Sequence, residues 1–402
     1  MANYGIDYLK NQLGRKQSRI KTRYGYYEMK RQVRNYSKLM PDDYKWVTYC
    51  LGWSSKAVDS IADRIVVNEI RNDNMNMSEL FALNNRDILF DSAILGALIC
   101  SCSFIYLSTV DGVPTMQVID GYDATGIIDD TTWLLKEGYA VLQRDAKGNV
   151  TKEAYFEQGK TTIYDLVNET VEEIANVAPY PLLVPIIYRP DAKRPFGHSR
   201  ISRACMDIQD GAIRTLIRSE ITAEFYSFPQ KYILGMDEDG HFNGQKANMS
   251  NFLDIGLNEN GDKPTLGQFS QASVAPHLDQ LKLYASAFAG ETGLTLDDLG
   301  YTSSNPSSSD AIKASHEQLR LTANKASRTF AVGFLNAGFL ACCLRDNKEY
   351  KRDAMYETKI AYEPLFAQDI SNISGAGDAL IKISQASPSY LTDEKIHDLL
   401  GI

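Results

Sequence analysis

The sequence predicts an α+β fold, because helical and strand patterns occupy separate parts of the 402-residue chain. The N-terminal third shows helical periodicity, residues 99–187 show a series of strand patterns, and two long helical patterns follow at 199–228 and 309–344. A hydrophobic content of 44% and a charged content of 23% are typical of a folded chain long enough for two or three domains.

The N-terminal third is predicted to be helical up to a buried strand. Between Trp53 and Val67 the apolar residues recur with the period of an amphipathic helix. Residues 92–107, "SAILGALICSCSFIYL", are shorter than the roughly 20 residues of a membrane span. They therefore predict a buried helix that runs into a buried strand, and we expect no membrane contact. The opening "MANYGIDYLKNQLGRKQ" has no apolar core, so we expect no secretory signal.

Two hairpins are predicted within the strand region. The stretch "SFIYLSTVDGVPTMQVID" places Asp111-Gly112 between two β-rich runs, and "YAVLQRDAKGNVTKEAYF" repeats the pattern around Lys147-Gly148-Asn149. The stretch "TTIYDLV" predicts another strand. Four prolines between 179 and 190 end the region.

The second half alternates long helices with turn-rich segments. A helix is predicted from Ser199 to Phe228, and Pro229 ends it. Residues 229–272 hold six glycines and predict turns, and a second helix is predicted at 274–289. A Ser- and Asn-rich loop at 295–308 then precedes the long helix from Ser309 to Leu344. A strand and short helices are expected in the last 47 residues, 356–402.

A basic segment near the N-terminus is the first candidate contact site. It contains one acid, Glu28, in a chain whose formal net charge is -9. The pattern predicts contact with phosphate or with a protein partner, and a solvated helix face is the alternative. The segment holds eight cations: Arg15, Lys16, Arg19, Lys21, Arg23, Lys30, Arg31 and Arg34.

The sequence predicts no catalytic residue, no metal site and no cofactor. The six cysteines include no CxxC pair and the five histidines are scattered, so we expect buried free thiols and no metal centre. The stretch "AYFEQGKT" at 154–161 matches a relaxed phosphate-loop pattern, but a strand pattern follows it and predicts a β-turn. A nucleotide-binding enzyme using Lys160 is the less favoured alternative. For the serines of 301–309, only His316 lies nearby as a base, and no nucleophile elbow is present.

Three stretches, taken in order, carry a resemblance to a known family. They are "FDSAILGALICSCSFIYL", "VPIIYRPDAKRPFGHSRIS" and "LYASAFAGETGLTLDDLGYTSSNPSSSDAIKASHEQL". The first is similar to a helix that ends in a wing strand with a D-x-x-x-x-G pattern, and the second to the entry into a stem helix with a G-x-S-x-I pattern. The third resembles a second stem helix, a tunnel loop and the start of a long helix. Together they resemble the portal proteins of tailed double-stranded-DNA bacteriophages.

The resemblance implies an α+β portal-like fold with a helical and β wing, a two-helix stem, a small β-containing clip, a tunnel loop, a long helix and a reduced crown. The implied boundaries are 1–196 for the wing, 197–228 for the first stem helix, 229–272 for the clip, 273–294 for the second stem helix, 295–308 for the tunnel loop, 309–345 for the long wing helix and 346–402 for the C-terminal wing and short crown.

The resemblance also implies a non-enzymatic homo-oligomer, a ring of twelve subunits at one capsid vertex of the virion, assembled in the host cytoplasm. Double-stranded DNA passes through its channel, and the packaging terminase, a head–tail adaptor and the major capsid or scaffold protein are its implied partners. A non-portal capsid adaptor or scaffold-like protein is the alternative.

The implied site residues lie in the channel and the clip. Ser303, Ser304 and Asn305 would lie closest to the channel axis, although a plain interhelical linker explains the same loop. Lys282 would add a sparse positive ring, or else is a solvated helix residue. A clip strand, Tyr232, Ile233 and Leu234, would pair between subunits.

Overall fold

The chain folds into two compact units in a computed structural model that describes residues 4–31, 33, 45–227, 231–234, 265–268, 273–301, 309–364, 378 and 380–386. The larger unit comprises 1–31, 50–209 and 286–402, and the smaller comprises 32–49 and 210–285. The observed mixture of helices and antiparallel sheets agrees with the predicted α+β class.

The larger unit begins with helices and continues as a meander of strands. Its helices are α1 (Ile6–Tyr27), α2 (Trp53–Ala62), α3 (Met77–Leu83) and α4 (Arg86–Cys100). Its strands are β1 (Val67–Arg71), β2 (Cys102–Val110), β3 (Val113–Asp120), β4 (Ala124–Ile128), β5 (Leu135–Arg144), β6 (Val150–Glu157), β7 (Lys160–Asp165), β8 (Thr170–Ala175) and β9 (Leu183–Ile187). Both predicted hairpins form, with Asp111, Gly112 and Gly148 at positive φ in their turns.

Three antiparallel sheets organise these strands. The order is β3-β2-β9 in the first sheet and β4-β5-β6-β7-β8 in the second. The third pairs β1 with β12 (Lys359–Tyr362), so the C-terminal part of the chain returns to the N-terminal part. Within the described residues β4 and β8 are the two edges of the five-stranded sheet.

Two helices from the C-terminal half follow the strands: α7 (Ser309–Ser315) and α8 (Glu317–Arg345). The C-terminal half of α8 packs on β9 and on α3 and α4, where Phe90 contacts both Phe81 and Phe334 at ring-centroid distances of 4.9 and 4.4 Å. A Cβ at Gly333 would lie 2.5 Å from Ile186, so glycine permits the close approach of α8 to β9. By length and composition α8 could cross a membrane, but 67% of its apolar window is buried within the chain, as in a core helix.

The smaller unit contains most of a helix pair and a two-stranded sheet. Helices α5 (Arg203–Ser227) and α6 (Ala275–Thr292) continue from it into the larger unit. Gly211 of α5 lies against the Tyr284 ring of α6, because a Cβ there would lie 2.8 Å from ring carbons. Strands β10 (Lys231–Leu234) and β11 (Thr265–Gln268) pair antiparallel, and Tyr232 lies opposite Gly267.

Several boundaries differ from those predicted. Helix α2 ends at Ala62 rather than Val67, and Val67 instead starts β1. Helix α5 begins at Arg203 rather than Ser199, because Ser199 and Arg200 hydrogen bond to other segments and the Ser202 hydroxyl accepts a bond from the Cys205 N–H. The predicted long helix is divided at His316 into α7 and α8.

The cysteine prediction is confirmed for five of the six residues. Cys100, Cys102, Cys205, Cys342 and Cys343 are free and buried, whereas Cys50 is free but exposed. Burial raises the pKa of the Cys100 and Cys342 thiols to about 12, so both remain protonated at neutral pH.

Candidate functional site

A cationic cavity of about 540 Å³ lies between α1 and the segment that precedes α5. Its walls include five Lys or Arg residues and one histidine, and no acidic side chain. The charged and ring groups that line it are Arg15, Lys16, Arg19, Arg23, Arg194, Phe196 and His198. All of its charged lining residues are therefore of one sign, in a chain whose formal net charge is -9.

Helical spacing brings four of these cations together. Arg15, Arg19 and Arg23 are four residues apart, and Lys16 is offset by one, so all four lie on one face of α1. The same helix buries Leu9, Leu13 and Ile20, and the first two belong to a core cluster with β5 and β6 residues. Packing of the apolar face therefore fixes where the cations lie.

The opposite wall is a turn stabilised by its own hydrogen bonds. Asp191 accepts bonds from the Lys193 and Arg194 amides, and its other oxygen lies 2.6 Å from His198 Nε2. Gly197 has φ of 71°, and a Cβ there would lie 2.0 Å from the Tyr188 carbonyl oxygen. Only glycine fits at this point, and the fixed turn places Arg194 opposite α1.

The two inner cations have lost much of their contact with water. Lys16 Nζ donates to the Ala124 carbonyl at 2.8 Å and lies 5.6 Å from the ring centroids of Phe104 and Phe196. Burial lowers the pKa of Lys16, and burial followed by the charge of Arg19 lowers the pKa of Arg23 to about 10. Arg23 Nη1 donates to the Cys100 carbonyl, while its buried Nε has no hydrogen-bond partner among the described residues. A bound anion would offset this repulsion and desolvation.

The remaining cations of the predicted basic segment lie elsewhere. Lys21 is exposed outside the cavity, Lys30 pairs with Glu28 at 2.8 Å, and the Arg31 guanidinium lies 5.8 Å from the Tyr26 ring centroid. Arg34 lies outside the described residues. The structure therefore gathers half of the eight predicted cations into one site.

A second group of contacts lies within the larger unit, between the segment before α5, α2, α4 and the end of α6. The Ser199 hydroxyl donates to the Ile99 carbonyl at 2.6 Å, and Ile201 is buried. The buried Arg200 guanidinium donates from Nε to the Ala57 carbonyl at 3.1 Å and from Nη2 to the Thr292 carbonyl at the end of α6. The G-x-S-x-I pattern is thus a joint that ties α2, α4 and the end of α6 to the start of α5.

The base of the serine-rich loop is held by an acid–histidine contact. Asp298 Oδ2 accepts bonds from the Thr295 amide and hydroxyl, both at 2.9 Å, and lies 3.4 Å from His316 Nε2. Burial acts to raise the pKa of Asp298, but these bonds outweigh it and leave the pKa lowered. Ser303, Ser304 and Asn305 lie outside the described residues; in sequence they fall between Asp298 and His316.

The other predicted contact residues lie in the smaller unit. Lys282 is an exposed residue of α6. Tyr232, Ile233 and Leu234 belong to β10, which pairs with β11 of the same chain, and Tyr232 and Leu234 are exposed. The expected pairing between subunits stays a prediction.

The phosphate-loop pattern lies in a β-hairpin, as predicted from the following strand. It spans the end of β6, the turn at Gly159 and the start of β7, and Lys160 pairs with Glu173 at 2.5 Å. This geometry provides no helix N-terminus for a nucleotide phosphate. Among the residues described, no group of three or more metal-binding side chains was found.

The cavity as a whole was not predicted, although the cations of its α1 wall were predicted as part of the basic segment. Arg194 and His198 are about 170 residues from α1, and no local pattern connects them to it. The four-residue spacing of Arg15, Arg19 and Arg23 was the available signal.

Comparisons with known proteins agree on one family. The family model described as "Phage portal protein, SPP1 Gp6-like" matches residues 6–381. A portal protein of Mycobacterium phage D29 is 24% identical over 375 residues, which cover 86% of this chain and 75% of that protein. A portal protein of Mycobacterium phage L5 is 25% identical over 323 residues, covering 73% of this chain and 65% of that protein.

Solved structures show similarity at low sequence identity. A chain from the virion of a native gene transfer agent particle aligns with a TM-score of 0.48 and 13% identity, over 87% of this chain and 89% of that chain. A chain from the neck of an empty gene transfer agent particle aligns with a TM-score of 0.49 and 14% identity, over 87% and 90% of the two chains.

Proposed function

The chain belongs to the phage portal protein family described as SPP1 Gp6-like, a family of virion proteins, and from this premise we propose that twelve copies form the ring through which DNA is packaged and ejected. The single observation that supports this most is the family match over 6–381, which includes both units. The ring, its stoichiometry and its partners are the proposal. Cyclic symmetry would repeat every residue around one channel.

The order of elements supports the assignment of portal parts. We assign α1–α4 and β1–β9 to the wing, α5 and α6 to the stem, and 229–272 to the clip. The loop 295–308 is assigned to the tunnel, α7 and α8 to the long wing helix, and 346–402 to the C-terminal wing and short crown. The long α5 and α6, joined by a segment that includes the β10–β11 pair, have the order expected of a stem with a clip.

The tunnel loop is proposed to follow DNA without trapping it. A Ser- and Asn-rich loop offers short hydrogen-bonding groups and no cations, so phosphate would not be held as it is by Lys or Arg. The Asp298–His316 contact supports the assignment because it joins two described residues on either side of the serines. Lys282 would contribute one cation per subunit along the preceding helix.

The charge of the whole chain supports sliding rather than binding. Twelve copies at -9 each give a formal charge of about -108. Acidic walls keep the exchange of counterions for phosphate weak, so DNA would pass through without strong attachment.

The clip is proposed to dock the packaging terminase and later the head–tail adaptor. Strand β10 has one hydrogen-bonded neighbour among the described residues, and its other edge can pair with a neighbouring subunit. Deleting 236–268 should leave the larger unit folded and abolish docking of motor or adaptor. Normal packaging and tail joining by that deletion variant would contradict the assignment.

The basic segment is proposed to contact a partner rather than to be only a solvated face. The enclosed position of Lys16 and Arg23 supports this, because a solvated face would leave both in water. Within the particle, the candidate partners outside the ring itself are packaged DNA and a coat or scaffold protein.

Mass measurement and negative-stain microscopy of the purified chain test the proposed function together. Twelve copies of 44.9 kDa give about 540 kDa, and we expect ring-shaped particles with a central hole at that mass. A chain that remains a monomer at micromolar concentration with and without coat protein would contradict the ring.

A further inference from the structure

The two edges of the five-stranded sheet differ: within the described residues the chain itself covers one edge and leaves the other open. At the β4 edge, α1 covers the strand: Lys16 donates to the Ala124 carbonyl, and Gln17 donates to the neighbouring Tyr122 carbonyl at 3.0 Å. At the β8 edge, no described strand or helix pairs beyond β8. An open edge of this kind invites pairing or coverage by another chain.

The β8 edge carries both acidic and apolar side chains. Residues 166–175, "LVNETVEEIA", are all exposed and include three glutamates and no cation. Val167 and Val171 expose 69% and 60% of their surface, which is costly for valines that face water permanently. Glu173 pairs with Lys160, but Glu169 and Glu172 form no salt bridge with a described residue.

The two edges carry opposite charge: the cavity beside β4 is cationic and the β8 edge is acidic. Two such surfaces on one chain can pair head to tail with neighbouring subunits. The cavity on α1 adjoins β4, because Thr125 of that strand is part of its lining. Four strand-to-strand steps of about 4.8 Å place β8 roughly 19 Å away at the opposite edge of the same sheet. A cyclic ring needs two different complementary patches on each subunit, one for each neighbour.

We propose that the acidic β8 edge of one subunit, through Glu169 and Glu172, occupies the cationic cavity on α1 of the next subunit. This inference rests on the proposed ring and names the pair of surfaces that closes it. Arg15 and Arg19 are exposed at the cavity and form no salt bridge with a described residue, so they are available to the incoming carboxylates. Arg23 and Lys16 lie behind them and add charge at low exposure to solvent.

The shape of the site favours a protein carboxylate over duplex DNA. The inner cations lie in a concave cavity against Cys100 and Phe196, whereas a DNA duplex presents a convex surface. A strand edge carrying glutamates on extended side chains reaches into such a cavity. The covered valines would then add apolar burial that DNA does not supply.

A charge-exchange experiment on the full chain tests the contact. One variant carries Arg15→Glu and Arg19→Glu, a second carries Glu169→Lys and Glu172→Lys, and a third combines all four changes. Lys21→Glu is the matched control, since it reverses a charge on the same helix outside the cavity. Light scattering gives the concentration at which half of the chains are in rings, at low and at high salt.

We expect each double variant to raise the half-assembly concentration about tenfold or more. The variant with all four substitutions should have a half-assembly concentration within about threefold of the wild-type value. Lys21→Glu should change it less than about threefold. The rescue distinguishes a specific contact from misfolding, because a misfolded chain is not repaired by two further substitutions.

Four results would overturn the inference. Double variants that assemble like the wild type show that the two surfaces do not meet. If the variant with all four substitutions does not regain assembly, each surface has another partner. An Arg15/Arg19 variant that assembles normally but loses binding of a short DNA duplex assigns the cavity to DNA. A wild-type chain that forms no ring refutes the proposed function as well, which separates the two failures.

Discussion

Replacement of Arg200 by alanine should destabilise the chain by several kcal/mol, because its guanidinium joins three segments inside the larger unit. The side chain is buried and donates to the Ala57 and Thr292 carbonyls. A hydrogen bond to a charged group contributes about 1.5–3 kcal/mol net. Loss of both bonds, with two carbonyl oxygens left unpaired, predicts a decrease of about 3–5 kcal/mol in the free energy of unfolding.

The assay is urea unfolding followed by circular dichroism, with two comparison variants. Arg203→Ala removes the same side chain from an exposed helix position three residues later and should change stability by less than about 0.5 kcal/mol. Arg200→Lys keeps the charge but lacks the planar fork that reaches both carbonyls, so we expect an intermediate loss. A change of less than about 1 kcal/mol for Arg200→Ala would refute the view that this joint stabilises the larger unit.

Three further changes test the α8–β9 packing, the Asp298 contact and the proposed tunnel loop. Gly333→Val should cost about 1–3 kcal/mol in the same unfolding assay, because its side chain would overlap Ile186; an unchanged midpoint would show that α8 and β9 can move apart. Asp298→Asn should lower the melting temperature at any pH above 3.8, the ordinary pKa of the carboxyl. The difference in melting temperature from the wild type should shrink as the pH falls through the lowered pKa of the folded chain. A difference that grows as the pH falls would contradict this role of Asp298. Ser303→Arg with Ser304→Arg would add about 24 cations to a ring of twelve, and should leave assembly intact while slowing DNA packaging or ejection, most at low salt; normal DNA transit would refute the sliding argument.

Local patterns were sufficient for the elements whose stability is local. Both hairpins depend on turns at Asp111-Gly112 and Gly148, where positive φ favours these residue types, and both were predicted. The helix α4 and strand β2 were also predicted, because sixteen successive small or apolar residues leave no solvent-facing side for either.

Boundaries set by distant contacts could not be read from the sequence. Ser199 and Arg200 have ordinary helical propensity, but hydrogen bonds to Ile99 and Ala57, at least 100 residues away, hold them outside α5. The cavity was missed for the same reason: its α1 face was predicted as a basic segment, while Arg194 arrives through a turn that depends on Asp191 and Gly197.

A cryo-electron microscopy map of the purified ring would decide the channel assignment, since it shows which residues surround the axis. We expect a closed ring whose narrowest point is the loop 295–308, with α5 and α6 lining the channel below it. A closed ring with that loop on its outer surface would contradict the channel assignment, and a chain that forms no ring would contradict the proposed function itself.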